Sequence, residues 1–262
     1  MTMLKAFMDK GARPDAGAIM CIGTALFKPT RYKQFCRKWE QLLADLGVPF
    51  LHATDFYCRA GLYRNILNAD WHLACRRIPE LIDEYATQLL SVSFRQREFE
   101  DVAPAAWRAR FGSLHGIAVK VSLDALGYVL DERRNFEPVA YVLESGDATQ
   151  AHVDRVLRKV GENSQARKVS RYRSHMFAGK GVERGLEVAD CFAWHWNKFY
   201  AETVARPIRE MRQDLHAMID GNPAKYRVYL FTGDTLRQFL INHGCYEAHP
   251  ARIPADDPNE SV

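Results

Sequence analysis

Four acidic residues stand at the ends of short motifs that are otherwise mostly apolar. Asp9 lies in AFMDKG, Asp55 in PFLHATDF, Glu144 in AYVLESGD and Asp190 in LEVADCFAW. A carboxylate at the end of a buried element is costly unless it is paired, solvated or bound to a cation. Carboxylates from distant parts of one chain are the usual ligands of Mg²⁺ or Mn²⁺. The pattern predicts metal-assisted phosphate chemistry with Asp9, Glu144 and Asp190 as catalytic metal ligands. Asp55 is expected as a further ligand.

Strands are predicted to position two of these acids. Apolar runs at 4–9 and 17–27, separated by Gly and Pro, predict two antiparallel strands, and Asp9 ends the first. Residues 139–143 are apolar on both faces, which is typical of a central strand covered on both sides. Glu144 follows directly, at the kind of strand end beyond which sites form in open α/β sheets.

A helix predicted at 186–200 positions the third acid. Asp190 borders the apolar face of this helix, and the small alanines beside it would allow a close approach to a sheet. The carboxylate would then point along the sheet toward the strand ends. The remaining pattern predicts helices between Pro29 and Gly47 and at 70–86, 114–133 and 151–160, strands at 49–56 and 89–94, a basic strand or hairpin arm at 168–178, and a helix or strand–helix pair at 223–243.

This order of elements predicts an α/β fold, and the placement of the acids on a first strand, a central strand and a late helix matches the RNase H-like layout. The sequence also resembles the family catalogued as domain of unknown function 3800, which occurs in bacteria, phages and mobile elements. AFMDKG and the following hairpin, the W-x-x-L-L helix leading to GVPFLHATDF, and LEVADCFAW carry the resemblance. It covers most of residues 4–200. It implies an RNase H-like mixed central sheet flanked by helices, and a divalent-metal-dependent nuclease.

The sequence departs from the family at the end of the first strand. The family commonly has Asp-Glu-Ser-Gly there, whereas this chain has Asp9, Lys10, Gly11 and Ala12. Lys10 could contact a phosphate or neutralise part of the site. The departure leaves a second hypothesis open, namely a catalytically decayed RNase H-like module that binds nucleic acid or a protein partner.

Each candidate also has a purely structural interpretation. Asp9 could cap a β-turn, Glu144 could pair with an arginine, and Asp190 could pair with Lys180 or Arg184.

Lys10, His52 and Asp147 are possible accessory residues. His52 could equally be a structural histidine, and with Asp55 it could cap the following segment. Asp147 could be a turn residue.

A basic stretch near these motifs suggests a polyanionic partner. Residues 155–184 contain nine Lys or Arg residues and two acids, a charge of +7 in a chain whose net charge is +4. A concentrated positive charge beside carboxylates suits the backbone of DNA or RNA, although a solvated helix face would show the same run. The candidate nucleic-acid-binding residues are Arg167, Lys168, Arg171, Arg173 and Lys180.

The bulk composition predicts one cytoplasmic domain. With 262 residues and 47% hydrophobic content, the chain can bury a full core. No secretory signal, no run long enough to span a membrane and no C-x-x-C pair is visible. We expect a single domain over 1–248, with a helical insertion around 60–135 and a flexible tail over 249–262.

Overall fold

The computed structural model describes residues 3–12, 19–105, 109, 111–205, 219 and 222–242. Across these ranges, a mixed sheet of six strands forms the centre of the fold, in the order β5-β4-β1-β2-β3-β6. The strands are β1 Leu4–Ala12, β2 Ile19–Phe27, β3 Gln88–Arg95, β4 Val139–Glu144, β5 Tyr172–Ala178 and β6 Tyr226–Phe231.

Strand directions identify the type of sheet. The first three strands form an antiparallel meander, β4 runs parallel to β1, and β5 runs parallel to β4. This is the RNase H-like arrangement, so the predicted fold class is confirmed. The sixth strand, β6, pairs parallel with β3 and extends the sheet on the other side.

Helices cover both faces of the sheet. They are α1 Pro29–Asp45, α2 Ala53–Tyr57, α3 Asn68–Tyr85, α4 Gln96–Val102, α5 Leu114–Glu132, α6 Gln150–Glu162, α7 Ser164–Val169, α8 Arg184–Ala205 and α9 Gly233–Asn242. One core cluster packs α1, α3 and α8 against one face, and a second packs α4, α5 and α6 against the other. None of the described helices is long and apolar enough to cross a membrane.

The side chains of β1 alternate between the two faces of the sheet. Phe7 belongs to the cluster under α8, and its neighbour Met8 belongs to the cluster under α5. Because successive side chains of a strand point to opposite faces, Asp9 continues the side of Phe7 and Lys10 continues the side of Met8. The acid and the lysine at this strand end therefore face opposite layers.

Helix α8 lies unusually close to the sheet, as the alanines in its sequence predicted. A Cβ atom on Gly23 would lie 2.3 Å from the carbonyl oxygen of Ala189 and 3.0 Å from the Cβ of Ala193. A Cβ on Gly11 would lie 3.1 Å from the Ala193 carbonyl oxygen. Only glycine on the strands permits this contact, and it brings Asp190 down to the sheet surface.

One predicted strand is wrong. Residues 49–56 do not join the sheet, because after a short irregular stretch the chain enters α2 at Ala53. The amides of Leu51 and Ala53 donate to carboxylates of α8 instead of to a neighbouring strand. The first helical hydrogen bond then runs from the amide of Phe56 to the carbonyl of His52, at 2.9 Å.

Two other predictions are refined. The basic segment at 168–178 consists of the end of α7 followed by β5, which pairs with β4 and is not a hairpin arm. The segment at 223–243 is a strand–helix pair, β6 and α9.

In the predicted insertion around 60–135, β3 lies between the helices α3 and α4 and belongs to the central sheet. The predicted tail at 249–262 lies outside the described residues.

Candidate active site

Two neighbouring strand ends place the first two acids side by side. β1 and β4 are parallel, with Met8 opposite Leu143, so Asp9 and Glu144 occupy the next position on each strand. Glu144 lies two residues beyond Val142, which faces the α8 layer, as Phe7 does on β1. Both carboxylates therefore leave the sheet on the same face.

Helix α8 supplies the third acid from above. The Asp190 side chain is only 6% exposed, since the helix presses against the glycines of β1 and β2. Its Oδ2 accepts a hydrogen bond of 2.8 Å from the backbone amide of Ala53, at the start of α2. This bond fixes the carboxylate and ties the HATDF segment to the site.

The three carboxylates converge on one cation, the ammonium group of Lys180. Its Nζ lies 2.9 Å from Asp9 Oδ2, 3.1 Å from Glu144 Oε1 and 3.2 Å from Asp190 Oδ2. Because these oxygens share one neighbour, any two of them are at most about 6 Å apart. The residues come from β1, β4, α8 and the segment between β5 and α8.

Burial and charge shift the proton affinities of this group. Burial raises the pKa of Asp9 well above its ordinary value, and the charge of Asp190 adds to the effect while Lys180 opposes it. Burial also acts to raise the pKa of Glu144, but its hydrogen bond with Asp9 and the charge of Lys180 hold it below the ordinary value. The pKa of Lys180 is raised, since the attraction of the three carboxylates outweighs burial. The group therefore favours a positive charge at its centre.

The donor set fits a hard divalent cation. Carboxylate oxygens are the ligands that Mg²⁺ and Mn²⁺ prefer. Asp9 Oδ2 is buried and receives no aligned hydrogen bond from the described residues, so the cation facing it is its main partner. Among those residues no three His, Cys, Asp or Glu side chains already have the geometry of a metal site. The oxygens stand at ammonium distances of 2.9–3.2 Å, longer than the ~2.1 Å of a Mg–O bond.

A cleft of about 490 Å³ opens beside the carboxylates. Its lining brings together acids of the group, basic side chains and an aromatic ring. These are Glu144, Asp190, His52, Lys180, Lys198 and Trp194. The cleft gives an extended, charged ligand access to Glu144 and Asp190.

His52, a predicted accessory residue, and Asp55, a predicted metal ligand, form a pair on the wall of this cleft. His52 Nδ1 lies 2.9 Å from Asp55 Oδ2, and both side chains are more than a third exposed. The structure thus places Asp55 with His52, and it is not one of the carboxylates that surround Lys180. His52 is the N-cap residue of α2, but its side chain makes no capping hydrogen bond, so the alternative of a cap is not observed, and the ligand role of Asp55 stays a prediction.

Lys10 turns away from the three acids. Its Nζ forms an ion pair with Asp147, and His115 Nδ1 lies 3.6 Å from the same carboxylate. Burial acts to raise the pKa of Asp147, but hydrogen bonds from Lys10 and Thr149 hold it below its ordinary value. The charge of Lys10 is thereby neutralised by Asp147.

The basic segment 155–184 is divided between two ends of the molecule. Lys180 lies among the carboxylates, at the end of β4. Arg171 lies at the start of β4, where its carbonyl oxygen accepts a hydrogen bond from the amide of Val139. The length of β5 separates the two ends, about 20 Å for seven residues. Arg171 also forms an ion pair with Asp131. The basic segment as a whole therefore does not lie beside the three acids, since only its Lys180 end does.

The other predicted nucleic-acid contacts are solvent-exposed. Arg167 and Lys168 lie in the last turn of α7, near Arg171, and Arg173 lies early in β5. Because these three residues lie away from the acids, their positions give no support for nucleic-acid binding at the site.

Sequence reasoning missed a buried acid that supports the site. Glu187 lies one turn before Asp190 on α8 and is fully buried. Its Oε2 accepts hydrogen bonds from Trp39 Nε1 at 2.7 Å and the Leu51 amide at 2.8 Å, and Arg184 pairs with Oε1 at 2.8 Å. The sequence could have indicated this role, because Glu187 is an acid among apolar residues, three positions before Asp190 on the same helix.

Comparisons with known proteins find only weak similarity, and only to solved structures. No protein-family model matches the chain, and no curated protein sequence matches it significantly. Among solved structures, a chain in "Structure of the PCNA:RNase HII complex from Archaeoglobus fulgidus" is similar, with 10% sequence identity and a TM-score of 0.40. The match covers 94% of this chain and 92% of the other. At this level the similarity is no guide to activity. Membership of the family of domain of unknown function 3800 stays a prediction.

Proposed function

We propose that this protein is a divalent-metal-dependent nuclease that hydrolyses phosphodiester bonds of nucleic acid. The observation that carries the proposal is the convergence of Asp9, Glu144 and Asp190 on a single cation position at the strand ends. An RNase H-like sheet with its acids beside an open cleft supports the same conclusion. A fold alone would not support it, since one fold hosts many functions.

The three acids would hold Mg²⁺ or Mn²⁺, which would activate water and stabilise the leaving oxygen. The chain's own contribution is to keep the carboxylates in place. The Ala53 amide orients Asp190, and the parallel pairing of β1 and β4 fixes the distance between Asp9 and Glu144.

The second hypothesis, a decayed module that binds nucleic acid or a protein, rested on Lys10. The pairing of Lys10 with Asp147 favours the enzymatic proposal, because the lysine does not occupy the space among the three acids. The two hypotheses make different predictions for metal binding and hydrolysis.

Asp190→Asn tests the proposal directly. Asn keeps an oxygen that can accept the Ala53 amide, so the fold should persist, but the lost charge should weaken metal binding. We expect wild type to bind Mn²⁺ in titration calorimetry and to cleave single- or double-stranded DNA or RNA. The variant should lose most of both, by roughly 100-fold in rate.

Asp131→Asn is the matched control, because it removes the same charge from the far end of the molecule, where Asp131 pairs with Arg171. It should keep wild-type metal affinity. Lys10→Glu, which introduces the acid common in the family that the sequence resembles, would place a carboxylate beside Asp147 and not among the three acids, so it should not raise activity in Mn²⁺. A wild type and Lys10→Glu variant that both lack hydrolysis and metal binding would establish the binding-module hypothesis instead.

A further inference from the structure

The ammonium group of Lys180 occupies the position among the three acids where a metal ion would bind. Its ammonium lies within 3.2 Å of one oxygen from each of the three acids, and its side chain is only 11% exposed. A single positive charge therefore stands where the carboxylates would share a divalent ion. Lysine and metal cannot both occupy that position.

The turn that carries Lys180 is open on one side. Gly179 and Gly181 flank it in the segment between β5 and α8. Gly181 has a φ of +82°, which favours glycine, and a Cβ on Gly179 would meet nothing within 4 Å. Gly179 is therefore not enclosed by side chains, while its carbonyl oxygen accepts backbone hydrogen bonds from Val182 and Glu183. The adjoining cleft of about 490 Å³ offers space for a displaced side chain.

We propose that Lys180 is a tethered counter-ion that competes with the divalent metal for Asp9, Glu144 and Asp190. In the metal-free protein its ammonium balances the charge of the three carboxylates, whose positions are fixed by the packing of α8, the Ala53 amide and the pairing of β1 with β4. When the metal binds, Lys180 leaves the acids and its side chain moves into the cleft. This inference rests on the proposed function and assigns Lys180 a positioning role in the same site.

Competition makes a prediction with a definite sign. Removing the ammonium should strengthen metal binding, because the metal no longer has to displace a cation that pairs with all three acids. If Lys180 were instead only a structural support, its removal would let the acids move apart, and metal binding would weaken. The two roles are separated by the direction of the change.

Calorimetric titration with Mn²⁺ alone measures this direction in Lys180→Met and Lys198→Met. Methionine preserves much of the side-chain length in both variants. Lys198 lines the same cleft but pairs with Glu202 on its own helix, at 3.2 Å, so it is the matched control. We expect Lys180→Met to bind Mn²⁺ at least roughly tenfold more tightly than wild type. Lys198→Met should stay within about twofold of wild type. Equal or weaker binding by folded Lys180→Met would overturn the inference.

A measurement on the wild-type protein covers the case in which Lys180→Met does not fold. An amine-acylating reagent, read out by mass spectrometry, should label Lys180 slowly without metal and several-fold faster with saturating Mg²⁺. Labelling of Lys198 should not change by more than about twofold. If Mg²⁺ binds and leaves the labelling of Lys180 unchanged, this inference fails while the proposed function stands. If no metal binds to wild type or to folded Lys180→Met, both fail together.

Discussion

The contact between Gly23 and α8 predicts that a single methyl group will disturb both the fold and the site. In Gly23→Ala the new Cβ would lie 2.3 Å from the Ala189 carbonyl oxygen and 2.8 Å from the Ala193 amide nitrogen. Both neighbours are backbone atoms of α8, so no flexible side chain can give way. Restoring an ordinary contact of 3.4 Å requires α8 to move by about 1 Å away from β2.

The cost follows from overpacking in a buried layer. We expect Gly23→Ala to lower the free energy of unfolding by at least about 2 kcal/mol, within the range for added methyl groups in well-packed cores. For a chain of this length that corresponds to a fall in melting temperature of roughly 5 °C. Because Asp190 lies on the displaced helix, Mn²⁺ affinity should fall as well.

Urea unfolding and thermal melting provide the measurement, with Gly179→Ala as control. A Cβ on Gly179 meets nothing within 4 Å, and Gly179 lacks the positive φ of its neighbour Gly181. Its substitution should change the free energy of unfolding by less than about 0.5 kcal/mol. If Gly23→Ala unfolds at the wild-type urea concentration, close helix packing does not hold α8 in place and our explanation of the site's assembly is refuted.

Two further predictions concern buried polar groups. Burial and the nearby charge of Lys10 lower the pKa of His115 to about 4. Since the unfolded chain binds this proton near pH 6.5, stability should be full above that pH and decline by roughly 1–2 kcal/mol between pH 7 and 5. His115→Gln should flatten this decline in urea unfolding, and an unchanged pH dependence would contradict the assignment. Glu187→Ala should lower the free energy of unfolding by about 3 kcal/mol, because the buried donors of Trp39 and Leu51 lose their acceptor. A thermal shift below about 2 °C would show that these donors find other partners.

Local patterns predicted most of the fold because they report which faces are buried. The apolar runs of β1, β2 and β4 and the helix containing Asp190 were all identifiable from periodicity. The alanines of α8 correctly indicated a close approach to the sheet. Strand order was also accessible, since the placement of the acids matched a known layout.

The parts that sequence reasoning missed depend on contacts between distant segments. PFLHATDF looks like a strand, but the Leu51 and Ala53 amides bond carboxylates more than 130 positions away in α8. Lys180 sits in a run of positive charge, and only the folded chain distinguishes it from the exposed Arg173. Pairing of Asp190 with Lys180 was considered as an alternative to a metal role. In the structure Lys180 contacts all three acids at once, so pairing with lysine and the proposed binding of a metal involve the same oxygens.

The packing of α8 on the first two strands has a consequence for how the protein is made. During synthesis, β1 and β2 leave the ribosome long before Arg184, where α8 begins. Until then, Phe7, Cys21 and Ala25 lack the helix that covers them in the finished fold. Pairing across such a separation is slow and leaves apolar surface open to aggregation. The nascent chain therefore passes through a stage in which a chaperone's protection of this face would matter most.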